Sequence, residues 1–281
     1  MRRFPYIQLA RPVNALIAAL GVFVGAQFGL QGSALEWTYG RAWSTLAAAL
    51  ATALTLSAGN ALNDAADAEI DRINRPKRPI PSGRVTVQQA RRFAAACVLT
   101  GLIFAALVSL EAFLIAAGAA GALAAYAGFL KRMPLAGNLT VALLTSAAFY
   151  AGGVAVEGAR HTYAPIVFIF LFTAARELVK DIEDMEGDAL HGARTAPVVW
   201  GKTAAQAAAS AFAAGGVLWS PVPFLLEWRG FGPLYLAAAA LGVNLPICWT
   251  FARFWRGGSA RQTQRTLKTS AVFGLIAVYI G

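Results

Sequence analysis

Long apolar runs, broken by short polar segments, recur from one end of the chain to the other. About twenty apolar residues make a helix that crosses a bilayer. The runs predict nine spans, at roughly 13–31, 43–62, 93–110, 112–130, 138–156, 163–180, 204–227, 231–253 and 266–281. The ninth is the shortest and stops at the last residue. The expected fold class is all-α, a polytopic integral membrane protein forming a single domain over 1–281.

Composition agrees with this pattern. Of the 281 residues, 58% are hydrophobic and 14% charged, with mean hydropathy +0.56. A soluble domain carries about 25% charged residues. The net charge of +10 would admit nucleic acid as a partner, but its distribution along the chain points to topology. If the N-terminus and every second loop share one face, that face holds all but three of the 24 Lys and Arg, the exceptions being Arg41, Arg160 and Arg229. The positive-inside rule makes that face cytosolic. The expected location is the cytoplasmic membrane, with the bilayer as a partner and no nucleic acid. Trp37, Tyr39, Trp43, Tyr163, Trp219 and Trp228 fall near the opposite span ends, as an interfacial belt does. Arg2, Arg3 and Arg11 precede the first run without a clear cleavage pattern, so a signal peptide is not expected. Cys97 and Cys248 both lie in apolar spans and are expected as small buried hydrophobes. His161 and His191 stand in different loops, which disfavours zinc or haem.

The polar positions that interrupt the apolar pattern are unevenly chosen. All six aspartates fall in two clusters of the form D-x-x-D-x-x-x-D: Asp64, Asp67, Asp71 and Asp181, Asp184, Asp188. Steps of three and seven residues keep each trio on one helical stripe. The clusters repeat at an offset of 117 residues, which also aligns Asn60 with Glu177 and Asn63 with Lys180. Four spans separate the copies, so two four-helix halves with one extra helix are expected. Both trios begin where a span ends, in a first motif at 60–84 and a second at 176–195. An ionised aspartate facing lipid costs about 2.5–3.5 kcal/mol on insertion scales, so these six must face a polar cavity, one another or metal ions. A solvated acidic helix end would explain one cluster alone; it does not explain a matched pair.

Hard carboxylate oxygens without His or Cys suit Mg²⁺ or Mn²⁺. Mg²⁺ is commonly shared between one or two carboxylates and phosphate oxygens. All six aspartates are therefore candidate metal ligands, and the substrate expected is a diphosphate. Arg72, Arg75, Lys77, Arg78 and Arg84 follow the first trio, while Lys180 and Arg194 flank the second. Some could hold phosphate oxygens, and positive-inside topology alone also accounts for them. Pro76, Pro79, Pro81 and Gly83 predict a compact loop beside the first trio. A diphosphate site opening onto apolar helices suits a polyprenyl diphosphate, whose allylic C–O bond ionises once the leaving group is stabilised. A cation or phosphate-lipid transporter is the non-enzymatic alternative; such sites usually lie near the midplane. Asp64→Ala or Asp181→Ala is expected to abolish turnover while leaving folding nearly intact.

The runs Asn63-Asp64-x-x-Asp67-x-x-x-Asp71 and Asp181-x-x-Asp184-x-x-x-Asp188 resemble the paired motifs of the UbiA-type intramembrane prenyltransferases. The likeness covers nearly the whole chain. It implies helices around a central cavity under cytosolic loops, and Mg²⁺-dependent transfer of a prenyl group from a polyprenyl diphosphate donor. It implies that Asn63, Asp64, Asp67 and Asp71 serve one metal–diphosphate half and Asp181, Asp184 and Asp188 the other. Arg11 and Asn14 resemble a polar patch at the first span, and Tyr126, Lys131 and Asn138 resemble cavity-lining positions. IDRINRPKRPIPSGRV, RELVKDIEDMEGD and Tyr126 with LKRMPLAGN are most similar to the branch that adds a geranylgeranyl chain to the hydroxyl of geranylgeranylglyceryl phosphate. That acceptor is anionic, with Lys131, Arg132 and Arg11 as candidate cations. Chlorophyll synthase shares an INxPxRPIPSG-like run, so C-prenylation of an aromatic or quinone acceptor stays open. Ala65 and Ala66 depart from the family, many members of which have aromatics there.

Overall fold

The computed structural model describes residues 4–33, 35–190, 192–229 and 231–280; Arg2, Arg3 and His191 lie outside them. Fourteen α-helices and no strand occur among the described residues. In order they are α1 (Pro5–Ala10), α2 (Pro12–Ser33), α3 (Tyr39–Ala66), α4 (Ala68–Asn74), α5 (Val87–Val108), α6 (Leu110–Gly128), α7 (Ala136–Ala155), α8 (Tyr163–Leu190), α9 (Ala196–Trp200), α10 (Lys202–Trp219), α11 (Val222–Leu225), α12 (Pro233–Ala239), α13 (Leu245–Trp255) and α14 (Ala260–Ile280). Eight helical segments among the described residues are long and apolar enough to cross a membrane. They correspond to the first eight predicted spans. The ninth prediction falls on α14, a continuous helix whose first turns carry Arg261, Arg265 and Lys268 and which is not one of the eight.

α3 and α8 each run 28 residues, whereas the other long helices run 18 to 22. At 1.5 Å per residue, 28 residues measure about 42 Å, roughly 12 Å more than a hydrocarbon core. The surplus is about two turns, and in both helices the acids occupy the C-terminal turns. The first trio does not stay on one uninterrupted helix. Asp67 leaves helical geometry (φ −94°, ψ 9°) between α3 and α4, so Asp71 belongs to α4. The amide bonds Asp67 N–H to Asn63 O and Asp71 N–H to Asp67 O persist across the break. The break is thus a local bend. The second trio stays within α8.

The chain divides into two compact units, residues 1–130 with 147–162 and residues 131–146 with 163–281. The sequence repeat placed all of α7 in the second half; the structure gives its second half to the first unit. In the first unit α3 is the hub, packed by α1, α2, α5 and α6. Close approach is carried by small residues. A Cβ on Gly25 would sit 1.9 Å from the Phe149 carbonyl oxygen, and one on Gly152 would sit 2.0 Å from that of Val22. In the second unit α8 is the hub, packed by α9, α10 and α14. Its core joins Leu178, Val179 and Ile182 to Ala205, Ala209, Ile247 and Leu267. Between α12 and α13 the helix widens to a π turn over Ala240–Asn244, with Leu245 N–H reaching Ala240 O. Pro246 cannot donate to residue 242, and the wider turn absorbs that lost bond. Cys97 is buried as expected, but Cys248 is exposed, because it falls on the outward face of α13.

Candidate functional site

Asp64 and Asp71 are almost completely buried, at 3% and 6% exposure. Two unpaired carboxylates there would be costly, and two arginines compensate them. Arg11 Nη2 lies 2.5 Å from Asp64 Oδ1. Arg78 Nη1 lies 3.2 Å from the same oxygen and 2.5 Å from Asp71 Oδ2. Arg78 thus bridges residues seven apart, as the expected stripe requires. Asp67 lies instead beside Asn63, whose Nδ2 donates to Asp67 Oδ2 at 3.1 Å.

The backbone fixes both arginines. Arg11 sits in the left-handed region (φ 50°) between α1 and α2, where Pro12 restarts the helix. Such a conformation in a non-glycine residue costs of order 1–3 kcal/mol and marks a place the surroundings enforce. Asn60 Nδ2 and Ser57 Oγ donate to Ala10 O, holding the end of α1 against α3. Arg78 is held by the proline-rich loop. Ser82 N–H bonds to Arg78 O, Arg84 and Val85 N–H to Pro79 O, and the Arg84 guanidinium to Lys77 O. Gly83 takes the positive φ (73°) that this turn needs. Val85 and Ile80 then pack on Leu9, Ala58, Ala61 and Ala65. Ala65 therefore has a reason to be small: an aromatic ring there would push the Arg78 loop off α3. Ala66 is exposed.

A cleft of about 580 Å³ opens beside these groups, lined by Gln8, Arg11, Asp64, Arg75, Pro76, Lys77, Arg78 and Pro79. Four cations and one carboxylate make it a site for an anion. Arg72 points elsewhere, 3.7 Å from Glu69 on the surface of α4. Asn14 is exposed on α2, Tyr126 is half-buried on α6, and neither lines the cleft. Arg75 and Lys77, named from the sequence among the cations that could hold phosphate oxygens, line the cleft; Gln8 lines it too, and nothing local in the sequence marks it.

In the second unit, buried Asn138, at the start of α7, donates from Nδ2 to Asp181 Oδ2 at 2.7 Å. Thr195 Oγ1 donates to Asp188 Oδ2 at 3.1 Å, and Asp184 is exposed. Buried Glu177 accepts from Arg176 at 2.5 Å and from Lys180 at 2.6 Å. Lys180, expected to hold substrate, is thus turned onto its own helix. Lys131 is half-buried in the 3₁₀ turn Leu130–Arg132. Glu183, one residue from Asp184, accepts from Arg261 Nε and Gln264 Nε2, both at 2.8 Å. This hydrogen bond raises the Arg261 pKa above its ordinary value. The sequence reading passed over Glu183 because it is off the aspartate stripe.

Among the described residues no three acids, imidazoles or thiols group as a ready metal cage. In the first motif the arginines stand where a cation would. The donor set nonetheless fits Mg²⁺, since every donor is a hard oxygen and that ion takes only one or two carboxylates alongside phosphate and water. The expectation that alanine at 64 would spare folding meets a pairing the spacing does not show: removing Asp64 takes the ion pair from Arg11 and leaves Arg78 with Asp71 alone.

The family model described as the UbiA prenyltransferase family matches residues 15–272. Digeranylgeranylglyceryl phosphate synthase of Methanopyrus kandleri is 38% identical over 275 residues, covering 97% of both chains. That of Natronomonas pharaonis is 37% identical over 280 residues, covering 98% of this chain and 95% of its own. The solved structure presented as "Structural and mechanistic insights into the biosynthesis of Digeranylgeranylglyceryl phosphate synthase in membranes" superposes with a TM-score of 0.88 at 30% identity, covering 100% and 98%. A UbiA homolog from Archaeoglobus fulgidus bound to GPP and Mg²⁺ has a TM-score of 0.74 at 22% identity, covering 99% of each chain, which extends the likeness in fold. Paired acid motifs at the ends of two overlong helices, inside a family match spanning almost the whole chain, make this polytopic membrane protein a member of the UbiA prenyltransferase family.

Proposed function

We propose that the chain transfers a geranylgeranyl group from geranylgeranyl diphosphate to the free hydroxyl of geranylgeranylglyceryl phosphate, forming an ether lipid. The observation that carries this reading is the near full-length identity with digeranylgeranylglyceryl phosphate synthases. The cation-lined cleft over Asp64 supports it. In the reaction the allylic C–O bond to diphosphate breaks and a C–O bond to the acceptor oxygen forms. The acceptor proton is lost and diphosphate departs.

Asp64, Asp67 and Asp71 would hold Mg²⁺ in one motif, and Asp181, Asp184 and Asp188 in the other; Mn²⁺, equally suited to oxygen donors, is proposed as a substitute. Bound metal supplies neutralisation of charge on the leaving diphosphate. The chain's own cations, Arg11, Arg75, Lys77 and Arg78, would bind phosphate oxygens. Arg11 and Arg78 would exchange carboxylate for phosphate as substrate enters, so the buried acids keep a cationic partner in both states. Asn63 and Asn138 would orient Asp67 and Asp181. Asn60 supports the site through the α1 backbone. We place the motifs at the cytosolic side of the cytoplasmic membrane, on the asymmetry of Lys and Arg.

Purified protein given labelled geranylgeranyl diphosphate, geranylgeranylglyceryl phosphate and Mg²⁺ should yield the doubly alkylated glyceryl phosphate and free diphosphate. Product from an aromatic acid and none from the glyceryl phosphate would refute the acceptor assignment and favour C-prenylation. Transport without any turnover would refute the enzyme.

A further inference from the structure

A second cleft, with no residue of either acid motif in its lining, lies between α13 and α14. It measures about 280 Å³, at the small end of ligand pockets. Thr250, Phe254 and Thr263 form a buried floor, and Arg253, Arg265 and Gln262 stand exposed at the rim. None of its lining residues is acidic. Among the described residues neither Arg253 nor Arg265 makes an ion pair, whereas neighbouring Arg261 is committed to Glu183. The Arg253 guanidinium lies 4.8 Å from the centroid of the Trp249 indole, a cation–π placement that holds it without neutralising it.

The cleft continues into apolar surface. Leu245, Trp249 and Arg253 are spaced i, i+4 and i+8 on α13, with Leu245 and Trp249 both about 60% exposed. On α14, exposed Arg265 and Thr269 are followed by exposed Val272 and Ile276. Each helix thus shows an outward stripe that turns from apolar to cationic at the same end. Tryptophan at that junction is the composition of a membrane interface. The turn between the helices is tight. Gly258 N–H bonds to Arg253 O, and a Cβ on Gly258 would come within 2.8 Å of that oxygen.

We propose that this cleft binds the phosphate of an anionic membrane lipid, with its acyl chain along the Leu245–Trp249 stripe. Basic pockets between membrane helices suit such headgroups. Here unpaired guanidinium groups, hydroxyl and amide neighbours, and an apolar track fit a phosphate joined to a hydrocarbon chain. The proposal is independent of which acceptor the acid motifs serve.

Native mass spectrometry of the detergent-purified full chain tests it, titrating phosphatidylglycerol, phosphatidylcholine or inorganic phosphate. Phosphatidylglycerol should bind in preference to the other two. Arg253→Gln with Arg265→Gln should weaken it about tenfold or more, while Lys202→Gln, which removes a charge outside the cleft, should not. If the double variant does not fold, Arg265→Glu alone should give the same loss. Inorganic phosphate binding as well as the lipid would overturn the lipid assignment. Unchanged lipid affinity in the cleft variants, or equal loss in Lys202→Gln, would overturn the site.

Discussion

Arg78 serves two buried carboxylates from one nitrogen. Arg78→Ala leaves Asp71 without an ion pair among the described residues and Asp64 with Arg11 alone. Removing one partner of a buried pair costs about 3–5 kcal/mol; Arg78 is itself partly exposed, so the loss should fall at or below the low end. Under the proposed function, Mg²⁺ then takes the vacated place. Thermal unfolding should show a lowered Tm for Arg78→Ala, and a larger rise on adding Mg²⁺ than in the wild type. Equal Mg²⁺ shifts in both proteins would mean that Arg78 and metal do not compete. Asp64→Asn and Asp181→Asn should each lower turnover at least about a hundredfold, a loss of about 2.7 kcal/mol in transition-state stabilisation. Of the two, Asp64→Asn should unfold more readily. Asp64 has two arginine partners, whereas Asp181 accepts a hydrogen bond from the neutral Asn138 amide.

Among elements, α2 and α7 approach so closely that a backbone carbonyl occupies the place of a side chain. Gly152→Ala should destabilise the protein by about 1–3 kcal/mol, the usual cost of overpacking. Gly21→Ala, where no atom lies within 4 Å, should stay within about 0.5 kcal/mol, as open surface changes do. Chemical or thermal unfolding of both variants distinguishes a packing contact from a general intolerance of the helix. The tie between α8 and α14 is weaker. Arg261 is 71% exposed, so a double-mutant cycle between Glu183 and Arg261 should give no more than about 1 kcal/mol. The apolar pattern located these helices because length and composition alone decide whether a segment suits a bilayer. It also located both motifs at helix ends. It did not reveal the bend at Asp67, since D-x-x-D-x-x-x-D reads the same whether or not the helix pauses. Nor did it apportion α7 between the two units, because a repeat in sequence says nothing about which neighbours a helix packs against.

At the scale of the molecule, the charge asymmetry makes a topological prediction. Reporters inserted at 75–84 and 256–259 should report the cytosol, and reporters near 36–38 and 157–160 the opposite face. A reporter at 75–84 reading the outer face would remove the cytosolic placement of the first motif. What the sequence determined by itself was the membrane class, eight of the nine spans it predicted and the two acid motifs, with the family as a resemblance that those motifs carry. The first three depend on local composition or on spacing along the chain. The tertiary structure alone decided the partners of the charges: Arg11 on Asp64, Asn138 on Asp181, Arg261 and Gln264 on Glu183. These pairs join residues tens of positions apart. No periodicity encodes them, and they arise because a buried charge takes whichever counter-charge or donor the packed helices bring within reach.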